Sequence, residues 1–182
     1  MMTNQWQPAN IILGIGGKQP GVGIYNIDTG LIENTISLTA GESVYAVNVL
    51  PNSNSLIVGT RAGFLYLLGQ EELSQQNSDF ELQRFIQGAS VLSVCSLDEQ
   101  RVAVSDVAGR CLIWELTKNS QPMPLPTGDG AICALFRADN GLLSGISMAG
   151  ELVVWDLMQS DIIRVLDIPA PPALSALVKP IY

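Results

Sequence analysis

The chain has 182 residues, 47% of them hydrophobic and 14% charged, which is ample for a core but below the quarter or so of charged residues usual in a globular chain. Its 17 acidic and 9 basic residues leave a net charge of −8 with no Lys/Arg cluster, so the field opposes nucleic acid and anionic membranes. No run approaches the ~20 apolar residues of a membrane helix, and the start Met1-Met2-Thr3 lacks the basic and apolar regions of a signal peptide, which predicts a cytoplasmic protein.

The first strand-like phrase is 11–16; the chain turns through 17–21, returns as 22–28, and supplies an outer strand at 32–38 before the polar break at 39–42. Gln5-Trp6-Gln7-Pro8, ahead of it, is either the stub of an inner strand or a tail. The second set is fuller: 44–50, a turn at 51–54, the hairpin 56–60 and 64–68 around Arg61-Ala62-Gly63, an acidic loop at 71–79, and an outer strand at 80–86. The third runs 91–97, 102–105 and 110–114. Its outer segment, 120–126, holds three prolines and so belongs at a sheet edge. The fourth runs 132–136, 142–147, 151–157 and 162–166, and one more inner-strand phrase follows at 173–178.

These sets are copies of one unit. Ala149-Gly150 leads through an apolar strand to Trp155-Asp156, and Ala108-Gly109 leads in the same way to Trp114-Glu115; Tyr25 and Leu68 stand in the same column. Inner strands opening at Val44, Val91, Ile132 and Leu174 recur at the spacing of about 40–45 residues that marks propeller blades, the long step being the one with the 71–79 loop. The expectation is an all-β propeller, residues 1–182 as one domain, with four blades at about 9–40, 41–88, 89–128 and 129–168.

Residues 9–178 resemble the WD-repeat (WD40-type) family, best at Trp114-Glu115 and Trp155-Asp156 and fairly at Tyr25-Asn26-Ile27-Asp28-Thr29-Gly30. The chain departs from that pattern in having no histidine, and therefore none of the family's Gly-His dipeptides or His-centred networks. The resemblance implies a scaffold that presents loops on a rigid disc to a peptide or protein, with no chemistry of its own. Candidate contact residues on the face formed by the turns before each inner strand and inside each hairpin are Lys18, Glu42, Arg61, Asp106, Asp129 and Met148. Arg61 and Met148 stand out as residue types enriched in interfaces.

No catalytic residue, cofactor site or metal site is expected. There is no His for general-base work, no Cys-x-x-Cys and no dense carboxylate cluster. Gly14-Ile15-Gly16-Gly17 is followed by a strand where a phosphate loop needs a helix. Trp114 and Trp155 are expected to pack on neighbouring sheets, Gly63, Gly109 and Gly150 to occupy hairpin turns, and Cys95, Cys111 and Cys133 to be small buried hydrophobes in a reducing compartment. The rival readings are an enzyme with a site assembled across blades and a fragment of a longer propeller with no independent activity. Counting 173–178, sixteen strands make four blades, an open arc that predicts self-association, most simply a dimer in which 173–178 completes the first blade of the other copy.

Overall fold

The computed structural model describes residues 10–15, 21–38, 42–51, 53, 55–69, 83–117, 120–137, 141–158 and 161–168. Among these every regular element is a strand. Short apolar runs broken by Gly, Pro, Asn and Asp offer period-2 faces and no stretch on which a helix could bury a stripe.

Among the described residues fifteen strands form four antiparallel sheets, each a meander in which consecutive strands pair. The first holds β1 (Asn10–Ile15), β2 (Gly21–Asn26) and β3 (Leu31–Ser37). The second holds β4 (Val44–Val49), β5 (Leu56–Thr60), β6 (Phe64–Leu68) and β7 (Gln83–Ile86). The third holds β8 (Val91–Ser96), β9 (Arg101–Asp106), β10 (Cys111–Glu115) and β11 (Met123–Leu125). The fourth holds β12 (Ile132–Arg137), β13 (Leu143–Ser147), β14 (Glu151–Asp156) and β15 (Asp161–Asp167). Pro124 of β11 lies opposite Leu112 on the sheet edge, where its missing N–H interrupts no inner ladder. The expected strand at 173–178, the stub at 5–8 and the loop at 71–79 lie outside the described residues.

The sheets stack face to face through three apolar clusters. Val22, Ile36 and Leu38 of the first blade pack with Leu56, Val58, Tyr66 and Leu68 of the second. Ile57 and Leu65, on the other face of the second, meet Val94, Val102, Val104 and Trp114 of the third. Cys95, Cys111, Ile113 and Leu125 then meet Leu135, Leu143, Val153 and Trp155 of the fourth. Trp114 and Trp155 are thus inter-blade packing residues, as expected from their place in the repeat. Each fully buried aliphatic side chain of this kind contributes roughly 1.5–3 kcal/mol.

All three described inner strands carry a bulge at the same place, between Val44 and Ala46, Val91 and Ser93, and Ile132 and Ala134. Each bulge leaves one residue without a cross-strand partner: Tyr45, Leu92 and Cys133. Tyr45 is 50% exposed and Cys133 is exposed, so the expectation of three buried thiols holds for Cys95 and Cys111 and fails for Cys133. The extra residue of a bulge leaves the alternation that would have kept it inside.

Burial, with the nearby Asp106 carboxylate and Cys95 adding to it, pushes the Cys111 thiol from an ordinary 9.0 up to about 12. Burial also raises Cys95, partly offset by Arg137. An alkylating reagent at neutral pH should therefore add once to the native chain, at Cys133, and to all three cysteines only in denaturant, as read by mass spectrometry. The unfolded chain ionises Cys111 at lower pH than the folded chain does. Its contribution to stability is complete below pH 9.0 and declines as pH rises from there toward 12.

Candidate functional site

The second, third and fourth blades repeat one hairpin turn: Thr60-Arg61-Ala62-Gly63, Asp106-Val107-Ala108-Gly109 and Ser147-Met148-Ala149-Gly150. The closing glycines sit at φ of 83°, 82° and 86°, a region that costs a residue with a Cβ. The amide of each glycine donates to the first carbonyl of its turn, at 3.1, 3.1 and 3.0 Å. The first side chain then locks the far end: Thr60 Oγ1, Asp106 Oδ1 and Ser147 Oγ accept from the amides of Phe64, Arg110 and Glu151 at 3.1, 3.1 and 3.2 Å.

The second residue of each turn is tied down by its backbone and free in its side chain. The amides of Arg61, Val107 and Met148 donate to the carbonyls of Ser43, Ser90 and Ala131 at 2.8, 3.0 and 2.8 Å. Their side chains are exposed, Val107 at 52% and Met148 at 64%. Two residues beyond each accepting carbonyl stands the bulge residue of the same blade. Tyr45 with Arg61, Leu92 with Val107, and Cys133 with Met148 therefore repeat blade by blade along one face. Such a surface offers aromatic, aliphatic and thioether contact, with the Arg61 cation at one end.

A buried polar network stiffens the middle of this face. Trp114 Nε1 donates to Gln87 Oε1 at 2.8 Å, and Gln87 Nε2 donates to Asp106 Oδ2 at 3.0 Å. That carboxylate also takes the Arg110 guanidinium at 2.7–2.8 Å and the amides of Ala108 and Arg110. Arg110 Nη2 donates in turn to the Gln87 carbonyl at 2.6 Å. A glutamine thus connects tryptophan to aspartate in a chain that has no histidine. The fourth blade solves the same problem with backbone, Trp155 Nε1 donating to the Pro126 carbonyl at 2.6 Å.

The six residues singled out from sequence fall into different environments. Arg61 and Met148 are exposed and equivalent. Asp129 is exposed, and its amide donates to Glu151 Oε2 at 3.1 Å. Asp106 is fully buried and satisfied inside its turn, so it holds the face up without forming it. Glu42 is buried as well, with Oε2 lacking a hydrogen-bond partner among the described residues. Lys18 lies outside the described residues. Val107 is the residue that sequence reasoning passed over. The signal was present, since Arg61, Val107 and Met148 each stand directly before Ala-Gly.

The opposite edge of the sheets carries a cleft of about 710 Å³ lined by Asp98, Glu99, Arg101, Glu115 and Arg137 among others. Two of its charged side chains are paired with each other and a third is bonded to backbone. Arg101 Nε meets Asp98 Oδ2 at 2.7 Å, and Arg137 donates to the Leu97 carbonyl. Burial would raise the Asp98 carboxyl, but the Gln100 amide and both donors of Arg101 outweigh it and hold the group below its ordinary value. Among the described residues no group of three or more Cys, Asp or Glu side chains lies together in a way that could hold a metal ion.

Repeated four-stranded meanders, stacked face to face with their inner strands adjacent, define a β-propeller. The chain has a WD40-type propeller fold: it is similar to a chain of the mitotic checkpoint complex (TM-score 0.71, 16% identity, 86% of this chain and 46% of that one). It is similar also to the WD40 β-propeller domain of Doa1 (TM-score 0.69, 12% identity, 91% of this chain and 52% of that one). This chain spans about half the length of the solved chains it matches. No family model and no curated protein sequence matches it.

Proposed function

We propose that the protein is a non-catalytic interaction scaffold that binds a peptide or protein on its hairpin-turn face, through Arg61, Val107 and Met148. The observation that carries this reading is the repeated turn itself. Three blades fix the same backbone position by hydrogen bonds and leave the side chain there exposed, which is how a rigid support presents contact residues at low entropic cost. An arginine, a valine and a methionine in one row favour a partner segment with apolar side chains and an acidic group near the Arg61 end. One similar solved structure belongs to the mitotic checkpoint complex, so this fold serves there inside a protein assembly. The net charge of −8 argues against nucleic acid and anionic membrane as partners. Unbridged thiols accord with a cytoplasmic location.

Peptides selected on the wild-type chain from a random display library test the reading. Replacing Arg61, Val107 and Met148 together by Ala should leave the melting curve unchanged and weaken those peptides by about 1–3 kcal/mol, roughly 5- to 150-fold. Glu99→Ala with Arg101→Ala, in the opposite cleft, should leave them unaffected. The reverse pattern would move the site to the cleft.

A further inference from the structure

The second, third and fourth blades present their exposed turn residues, Arg61, Val107 and Met148, at one repeating step. That step is the distance from sheet to sheet. Neighbouring inner strands touch through single side chains: Ser96 Oγ donates to Asn48 Oδ1 at 2.8 Å between β8 and β4, and the Leu135 amide donates to Ser93 Oγ at 3.0 Å between β12 and β8. Sheets packed in this way lie roughly 10 Å apart. A partner segment lying across the row has to repeat its contact side chains at about the same interval.

Of the regular backbones, polyproline II matches that interval. It has three residues per turn and rises about 3.1 Å per residue, so every third side chain points the same way at a spacing of about 9.3 Å. An extended strand returns to one face every second residue, about 6.8 Å, and is out of step by the next blade. An α-helix renews a face every turn, about 5.4 Å, which sets alternate contacts over the segments that cross from blade to blade. Those crossings are built mostly from small residues. Gly88-Ala89 runs so close to the turn of the second blade that a Cβ on Gly63 would come within 2.8 Å of the Ala89 backbone. Gly128-Asp129-Gly130 crosses between the third and fourth blades, where a Cβ on Gly130 would stand 3.3 Å from the Ala149 amide nitrogen. On this second crossing Asp129 is exposed, its amide held by Glu151 Oε2 at 3.1 Å. The row thus carries a cation at the Arg61 end and an anion beside the Met148 end.

We propose that the partner segment is a proline-rich polyproline II helix, with an acidic side chain on Arg61 and apolar side chains three and six residues along it on Val107 and Met148; this rests on the turn-face reading above and names the class of its ligand. Tyr45, 50% exposed beside Arg61, offers an aromatic surface to a proline ring, as the aromatic-lined grooves that take such helices do. Prolines at the intervening positions hold the segment in its bound conformation beforehand, which lowers the cost of ordering it. Asp129 repels an acidic group at the Met148 end, so the charge of the segment belongs at Arg61.

Fluorescence anisotropy with labelled synthetic peptides tests the proposal. The spacing is the same read from either end, so Glu-Pro-Pro-Leu-Pro-Pro-Leu and its reversed sequence are both measured. The tighter of the two should bind the wild-type chain about 10-fold better than the isomer Glu-Pro-Leu-Pro-Leu-Pro-Pro, and about 10-fold better than an alanine-based helix carrying Glu and two Leu at two-turn spacing. Lys in place of Glu in that peptide should weaken it about 10-fold. Arg61→Glu, which alters an exposed side chain and should keep the wild-type circular dichroism, should reverse the preference between the Glu and Lys peptides. Equal binding of the period-three peptide and its isomer, tighter binding of the helix, or no saturable binding by any of them would overturn the proposal. So would an unchanged charge preference in Arg61→Glu. Library-selected peptides that weaken with Arg61, Val107 and Met148 replaced by Ala but show no period of three would overturn it and leave the turn-face reading standing, whereas selected peptides indifferent to those replacements would remove both.

Discussion

Asp106→Ala should cost about 2–4 kcal/mol of stability, and peptide binding should weaken only through that loss. The carboxylate is fully buried and accepts from the Gln87 amide, the Arg110 guanidinium and the amides of Ala108 and Arg110. Truncation leaves these donors with no acceptor in the turn. Arg110 recovers part of the cost because its side chain is 46% exposed and can turn to water, which keeps the loss below that for a wholly buried pair. Asp106→Asn keeps Oδ1 but sets an amide donor against Gln87 Nε2 and Arg110, so it should also be destabilising. Urea denaturation should show a midpoint lower by about 1–2 M for the alanine variant. An unchanged midpoint would mean that the network contributes nothing net to the fold.

The second large effect is expected at Trp155, fully buried where the fourth blade meets the third. Trp155→Ala should cost about 3–5 kcal/mol, a large share of the ~5–15 kcal/mol that holds a domain folded. The indole has shaped its surroundings. A Cβ at Gly145 would come within 3.0 Å of the Trp155 ring and 2.7 Å of Ile132 Cγ2, so Gly145→Ala should itself cost about 1–3 kcal/mol. Thermal unfolding of both variants checks the pair. The alanine at 145 should be better tolerated when Trp155 is also truncated, because that relieves one of its two clashes.

The blades were legible because the second, third and fourth repeats carry the same phrase: an alternating inner strand, an apolar strand, an X-Ala-Gly turn, and a return strand ending at the tryptophan column. Those features act locally, through turn geometry and period-2 burial, and the structure places β4, β8 and β12 on the inner strands expected from them. What sequence could not show is which turn residues face inward. Asp106 and Arg61 are adjacent in kind and in apparent exposure, yet the turn register aligns Asp106 with Thr60 and Ser147, whose side chains cap the turn, and aligns Arg61 with Val107 and Met148. The bulges were hidden for a similar reason. An extra residue at Tyr45, Leu92 or Cys133 is visible only once the partner strand fixes the pairing, and it is what exposes Cys133. Gln87 was equally silent, since its role depends on Trp114 and Asp106 converging on it from two other segments.

Methionine-methyl NMR tests the central claim most directly, because the turn face carries Met148, an edge strand carries Met123, and the fourth blade's opposite turn carries Met158, 94% exposed. On titration with a display-selected peptide the Met148 resonance should shift and broaden while those of Met123 and Met158 stay in place. Shifts at Met158 with Met148 unmoved would contradict the assignment of the hairpin-turn face as the binding surface.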